Sequence, residues 1–181
     1  MDALPNSVYS DRIFTAKIID HQDGTWTTYY SSDSVGGAIF NDYDSSIGNI
    51  IGDFIGNHSK AYGGAINNSG RTAIGNITGD FIGNYASSSN YSDYVYGGAI
   101  YNGSKDTAII GDITGDFIGN YASVSAVNGI AKGGAIYNSS NGTAIIGDIT
   151  GNFLSNYVQY LSKYSKLTLG GAVYSNANLS F

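Results

Sequence analysis

Two short strings alternate along this chain of 181 residues and constrain its fold more than any other feature. The first reads IGDITGDFIGN from Ile110, and close copies begin at Ile47, Ile74 and Ile146. The second is GGAI, which begins at Gly36, Gly63, Gly97 and Gly133, with GGAV at Gly170. Alternating signatures of this kind indicate a stack of similar units, because one such unit is too small to bury its apolar face alone.

The repeat changes length almost entirely in one segment. Successive FxxN phenylalanines lie 27, 36 and 36 residues apart. From the start of GGAI to the next of these phenylalanines the distance is 18 to 20 residues, whereas from the FxxN asparagine to the next GG it is 6 to 14. A segment that changes length and sequence so freely is typical of a loop that faces solvent.

Within the constant part, apolar and polar residues alternate with a period of two, which is typical of a strand with one buried side. The buried face predicted from this period holds Ile109, Gly111, Ile113, Gly115, Phe117 and Gly119. The exposed face holds Ile110, Asp112, Thr114, Asp116, Ile118 and Asn120. The predicted fold class is all-β, a right-handed parallel β-helix (solenoid) with about one three-strand coil in each repeat of 27–37 residues.

Two coils of 18 residues in each repeat are the alternative register. The first repeat argues against it, because only 11 residues separate Ile55 from Ile66. With one coil per repeat, equivalent residues stack from coil to coil. We expect an aromatic column of Phe54, Phe81, Phe117 and Phe153. We also expect a hydrogen-bonded ladder of Asn57, Asn84, Asn120 and Asn156, and recurrent glycines where the backbone bends or meets the next coil.

The chain divides into two regions. Residues 1–35 carry strand-like segments at 12–20 and 25–30, and we predict a strand-rich N-terminal cap that covers the open edge of the stack. Residues 36–181 are the predicted β-helix repeats. We expect this region to be truncated or uncapped at its C-terminal end, because no capping segment is recognisable there.

Composition excludes several function classes. A net charge of −6 without a basic cluster argues against nucleic acid as a partner. The chain has no cysteine, so it forms neither disulfides nor thiolate metal sites. No signal peptide is visible in it, and no run of 18 apolar residues predicts a transmembrane segment.

The paired GGAI and FxxN strings resemble those of the chlamydial polymorphic membrane proteins, over about residues 36–175. The resemblance implies the exported passenger of an autotransporter, with both strings associated with adhesion to host cells. It implies localisation at the bacterial cell surface or secretion, with the signal and the anchor lying outside this chain. The positions that it marks are Gly97, Gly98, Ala99, Ile100, Phe117, Asn120, Gly133, Gly134, Ala135, Ile136, Phe153 and Asn156.

Residues able to do chemistry recur with the repeat instead of interrupting it. Asp53, Asp80 and Asp116 form one acidic column and Asp112 with Asp148 another, which favours a solvated acidic face over a calcium site. A polysaccharide-cleaving enzyme needs two carboxyl groups at one irregular place, and an ice-binding protein needs a broad Thr-rich face. We therefore predict no catalytic residue, no metal, no cofactor and no enzymatic activity.

Tyrosine is the notable excess, at sixteen residues. Tyrosines that follow the FxxN asparagine or GGAI are interpreted as stacked columns that stiffen the solenoid. Others lie in the variable segments, where their area and hydroxyl suit recognition. These candidate binding residues are Tyr91, Tyr94, Tyr96, Tyr160 and Tyr164. The hypothesis is a surface adhesin that binds a host-cell protein or glycan or a neighbouring cell; the alternatives are a structural spacer or self-assembling scaffold, and a glycan-cleaving β-helix.

Overall fold

The computed structural model describes residues 15–20, 26–31, 37–89, 94–125, 127–139, 141–161 and 167–180, and every regular element within them is a β-strand. These strands form successive layers, one for each repeat. Each layer pairs in parallel with the equivalent strands of its neighbours. The architecture is therefore all-β, with stacked parallel sheets that are compatible with a β-solenoid.

The strands fall into five layers after two leading strands. The leading strands are β1 (Thr15–Asp20) and β2 (Trp26–Ser31). The first layer holds β3 (Ile39–Asn41), β4 (Ser46–Ile47), β5 (Ile50–Ile51), β6 (Phe54–Ile55) and β7 (His58–Ser59). The second holds β8 (Ile66–Asn68), β9 (Thr72–Ile74), β10 (Ile77–Thr78), β11 (Phe81–Ile82), β12 (Tyr85–Ser88) and β13 (Tyr94–Tyr96).

The later layers repeat this order. The third holds β14 (Ile100–Asn102), β15 (Thr107–Ile110), β16 (Ile113–Thr114), β17 (Phe117–Ile118), β18 (Tyr121–Val124) and β19 (Ile130–Lys132). The fourth holds β20 (Ile136–Asn138), β21 (Thr143–Thr150), β22 (Phe153–Leu154), β23 (Tyr157–Tyr160) and β24 (Leu167–Leu169). The fifth holds β25 (Val173–Ser175) and β26 (Asn178–Ser180).

Strand register confirms one layer per repeat. Phe81 pairs with Phe54 in the layer before it and with Phe117 in the layer after it. Ile100 likewise pairs with Ile66 and Ile136. Equivalent letters of successive repeats therefore lie side by side, and the alternative of two coils in each repeat is wrong.

The prediction of three strands in each coil is wrong, because glycine corners divide each layer into five or six short strands. Gly115 separates β16 from β17 and has φ +155°, a conformation that L side chains rarely adopt. A β-carbon there would overlap the carbonyl oxygen of Gly79 in the layer below. The corner thus needs glycine both for its backbone angle and for the close approach of the next layer.

The same corners overturn the predicted faces of the constant segment. Ile109, expected inside, is 37 % exposed, whereas Ile110 and Asn120, expected outside, are completely or almost completely buried. Ile113 and Phe117 are buried as predicted. A strict period of two fails because each corner turns the chain, so that inward residues follow one another at intervals of three or four.

The variable segment is not simply a solvent-facing loop. Its first part forms β12, β18 and β23, and its last part forms β13, β19 and β24, all paired in register between layers. Their inward side chains build a second apolar cluster beside the main core. Its fully buried members are Ala86, Val95, Ala122, Val124 and Ala131. The expectation of a loop is therefore wrong for both ends of this segment.

The predicted aromatic column is confirmed. Phe54 and Phe81 stack with ring centroids 4.8 Å apart, and Phe81 and Phe117 with centroids 4.7 Å apart. Phe153 continues the column at 4.8 Å from Phe117. The spacing matches the distance between hydrogen-bonded strands, so the register of the strands also sets that of the rings.

The predicted asparagine ladder is confirmed too. The Nδ2 of Asn84 donates to Oδ1 of Asn120 (3.0 Å), and Nδ2 of Asn120 donates to Oδ1 of Asn156 (2.9 Å). A second buried ladder escaped the sequence analysis, although its asparagine follows the isoleucine of GGAI by two residues in every copy. It joins Asn41, Asn68, Asn102 and Asn138 through bonds of 2.8, 2.8 and 2.9 Å.

The two strings recur together because their backbones touch. A β-carbon on Gly98, the second glycine of GGAI, would overlap the backbone of Tyr121, which directly follows the FxxN asparagine of the same layer. Gly64 meets Tyr85 and Gly134 meets Tyr157 in the same way. This contact runs through the stack between the main core and the second apolar cluster.

Two strands precede the first repeat. β1 pairs antiparallel with β2, from Thr15 opposite Ser31 to Asp20 opposite Trp26. β2 in turn pairs in parallel with the first layer, through Thr28 with Phe54 and Ser31 with His58. These strands lie close to the predicted segments 12–20 and 25–30. The division into a cap (1–35) and a repeat region (36–181) stays a prediction.

Candidate functional site

The strongest candidate for a binding site lies where two columns of side chains meet at the GG corner. One column contains the residue before GG, and Tyr62, Tyr96 and Lys132 pair in register there. The other contains the residue after GGAI, and Tyr101 pairs with Tyr137. Gly97 turns the chain between the columns with φ +68°, a left-handed conformation that suits glycine.

Six tyrosines and one lysine form what we call the tyrosine cluster. Its members are Tyr62, Tyr94, Tyr96, Tyr101, Tyr137, Tyr174 and Lys132. Tyr96 stacks on Tyr137 with centroids 4.4 Å apart, and Tyr137 stacks on Tyr101 and on Tyr174 at 5.3 Å. Within this group Tyr94 is the most accessible ring, being 49 % exposed at a tilt of 51° to Tyr96.

Lys132 places a positive charge among these rings. Its Nζ lies 4.5 Å from the ring centroid of Tyr174 and 5.7 Å from that of Tyr96. The same ammonium donates to the Tyr174 hydroxyl at 3.4 Å. An ammonium over aromatic faces is held electrostatically by the ring quadrupoles, so the cluster fixes the position of this charge.

Burial keeps the phenols of the cluster protonated. It raises the pKa of both Tyr96 and Tyr101, and the neighbouring phenol of Tyr137 adds to the shift in each case. Both effects disfavour the phenolate, because it would be poorly solvated and close to other ionisable phenols. The hydroxyls of Tyr96 and Tyr101 therefore stay neutral through the physiological pH range, able to donate as well as accept hydrogen bonds.

The predicted tyrosines do not all gather at one place. Tyr94 and Tyr96 belong to the tyrosine cluster. Tyr160 is half-buried against the second apolar cluster, where it packs as part of the stack. Tyr91 and Tyr164 lie outside the described residues. A binding role for these tyrosines stays a prediction.

The positions marked by the family resemblance are mostly interior. The described GGAI residues Gly97–Ile100 and Gly133–Ile136 are buried, as are Phe117 and Asn120. Phe153 and Asn156 are half-buried. The structure brings these residues together as corners, core and ladder of the stack. Their adhesive role stays a prediction, and side chains so placed contribute to it through the surface that they support.

A second aromatic column runs along another face. His58, Tyr85, Tyr121 and Tyr157 stack at centroid distances of 5.2, 4.9 and 5.1 Å. Burial, with a smaller contribution from Tyr85 and Tyr157, raises the pKa of Tyr121. This regular stack fits the predicted stiffening role, whereas the tyrosine cluster adds tilted rings and a charge.

The acidic columns have a structural task. Oδ1 of Asp80 accepts the backbone N–H of Asp116 at 2.8 Å, and Oδ1 of Asp112 accepts that of Asp148 at 3.0 Å. Each carboxylate thus satisfies a corner N–H of the next layer. Among the described residues, no group of three or more His, Cys, Asp or Glu side chains is placed to hold a metal ion.

Sequence reasoning missed Tyr62 and Lys132, which complete the tyrosine cluster. Both directly precede a GG pair, as Tyr96 does. This shared position was the available signal. Its value depended on knowing that the GG corner brings the residue before it alongside the residue after GGAI.

Comparison with protein-family models, with curated protein sequences and with solved structures finds no match to this chain. Across the ranges that the structure describes, no helix has the length and apolar character needed to span a bilayer.

Proposed function

We propose that this chain is a non-enzymatic right-handed parallel β-helix of a bacterial surface or secreted protein, of the adhesin or autotransporter-passenger type. Its tyrosine cluster binds a glycan on a host or neighbouring cell. The right hand is supported by the strong preference of parallel crossover connections for it. The paired GGAI and FxxN strings support the passenger type through their resemblance to the chlamydial proteins.

One observation carries the binding role: Tyr94 presents an accessible ring beside a fixed charge on a rigid stack. The neighbouring tyrosines are already stacked, so little side-chain entropy is lost when a ligand contacts them. Tyrosine rings offer apolar area to the C–H faces of a sugar, and their hydroxyls offer hydrogen bonds. A periodic wall of hydrogen-bonded ladders holds this surface in place.

The arrangement of the acids supports a role without catalysis. Hydrolysis of a glycosidic bond uses two carboxyl groups that face each other across the substrate. Asp53, Asp80 and Asp116 instead form a regular column in which each successive layer donates a backbone N–H to the one before. Their geometry is that of a structural ladder.

Binding to cultured cells tests the proposal, with purified wild-type protein compared with Tyr94→Ser. We expect about a tenfold loss of cell binding for this variant, because it removes the accessible ring without entering the core. Tyr43→Ser is the matched control: Tyr43 is 80 % exposed and makes no ring contact among the described residues. Equal binding by both variants would contradict the proposal.

Enzymatic removal of cell-surface glycans separates a sugar from a protein ligand. We expect binding to disappear with the glycans; binding that persists, and that still depends on Tyr94, would identify a protein partner instead. Sedimentation velocity over a range of concentrations tests the spacer or scaffold alternative. Oligomers that grow with concentration, in a protein that does not bind cells, would favour that alternative.

A further inference from the structure

Lys132 is a cation without an anionic partner in the described part of the chain. Its ammonium contacts two rings and one phenol hydroxyl. Arg71, by contrast, donates twice to the carboxylate of Asp44. In a protein of net charge −6, a half-buried lysine held by tyrosines rather than by an acid is a distinctive local feature.

The ammonium also retains donors. It has three N–H groups, and the Tyr174 hydroxyl accepts from it at 3.4 Å. The ring faces attract the charge but satisfy no N–H in the manner of an oxygen acceptor. Donors therefore remain for an incoming group, and an anionic oxygen is the acceptor that gains most from them.

Lys132 and Tyr94 flank the same ring. Nζ of Lys132 lies 5.7 Å from the Tyr96 centroid, and the Tyr94 centroid lies 6.0 Å from it. A ligand that stacks on Tyr94 can therefore reach Lys132 with an exocyclic group of the same or the next sugar unit. The two contacts demand different chemistry, an apolar face for the ring and an anion for the ammonium.

We propose that the ligand of the tyrosine cluster is an acidic glycan, whose pyranose ring stacks on Tyr94 and whose carboxylate or sulfate binds Lys132. This inference rests on the proposed function and specifies its ligand class. Selection acts at short range, because the negative charge of the whole chain repels anions that do not contact the ammonium directly. The neutral phenols around the site add hydrogen-bond donors without competing charge.

Calorimetric titration of the purified chain with defined sugars tests this. The probes are sialyllactose for the carboxylate, a sulfated chondroitin disaccharide for the sulfate, and lactose as the neutral reference. We expect at least one acidic probe to bind about tenfold or more tightly than lactose. Whichever acidic probe binds identifies the source of the anion; equal affinity for all three would overturn the proposal.

Three lysine variants separate charge from packing. Lys132→Gln should lose about tenfold or more in affinity for the acidic probe, whereas Lys132→Arg should keep most of it, because a guanidinium also stacks on aromatic rings and binds anions. Lys105→Gln removes an exposed lysine elsewhere and should change nothing. Thermal unfolding of each variant shows whether the fold is intact. Unchanged acidic-sugar binding in Lys132→Gln would contradict the proposal.

The two proposals fail in different ways. If Tyr94→Ser abolishes cell binding while acidic and neutral sugars bind alike, the binding function stands and the acidic ligand is refuted. If Tyr94→Ser leaves cell binding intact, both are refuted.

Discussion

Gly98 shows how narrowly single positions are constrained in this stack. A β-carbon there would overlap the carbonyl oxygen of Gly134 in the next layer and the backbone of Tyr121 in its own. Both neighbours are main-chain atoms of paired strands, so neither can move without breaking interlayer hydrogen bonds. The glycine is required by space, since its own φ is not in the left-handed region.

We therefore predict that Gly98→Ala lowers the free energy of unfolding by about 3 kcal/mol or more, through overpacking against the backbone. Gly119→Ala should cost about 1–2 kcal/mol, because φ is +63° there but a β-carbon would meet nothing within 4 Å. Gly48→Ala, with open space and no positive φ, should be neutral within about 0.5 kcal/mol. Urea unfolding measures all three, and a cost for Gly98→Ala no larger than that for Gly119→Ala would contradict the close contact.

At the scale of elements, the stack consists of columns more than of separate strands. Many strands have only two residues, too few to be stable alone. Their persistence depends on the side-chain ladders that run across the layers. In the best-connected of these, Asn120 accepts from the backbone N–H of Asn84 (2.9 Å) and donates to the carbonyl of Phe81 (2.8 Å).

Asn120→Ala should accordingly lower the free energy of unfolding by about 3 kcal/mol or more, because it leaves several buried polar groups without partners. Those groups belong to Asn84, Phe81 and Asn156. Asn152→Ala is the matched control: it also breaks interlayer bonds, to Asp116, but at an exposed position, and should cost less than about 1 kcal/mol. Equal destabilisation of the two variants in chemical unfolding would show that burial of the ladder is unimportant.

At the scale of the whole molecule, each layer contacts mainly the layers before and after it. Stability in such a stack is approximately a sum of layer and interface terms. The register makes one layer equivalent to the next, because Ile100 pairs with Ile66 on one side and with Ile136 on the other. A complete layer is therefore removable in principle.

Deletion of residues 97–132 should leave a folded, shorter stack, because it joins Tyr96 to Gly133 and removes one whole repeat. We expect native-like circular dichroism and a smaller urea m-value, in proportion to the surface lost. Deletion of residues 97–114, which removes half a repeat, should abolish cooperative unfolding. If both deletions unfold the protein equally, the layers are not interchangeable.

The binding surface was only partly predictable at the residue scale. Tyr94 and Tyr96 stand outside the periodic strings and attracted attention for that reason. Tyr62 and Lys132 did not, because their partnership with Tyr101 and Tyr137 depends on the angle of the GG corner. Local spacing does not specify that angle.

What the sequence determined by itself is the register. Near-identical strings must lie side by side if identical side chains are to share one environment, so the pairing of Phe81 with Phe117, the aromatic column and the Asn57–Asn156 ladder followed from letters alone. Only the tertiary structure decided which side chains face inward around each corner. Ile110 is buried and Ile109 exposed because glycine corners rotate the chain between short strands, and a period of two cannot anticipate that rotation. The second apolar cluster and the tyrosine cluster arise from the same turns.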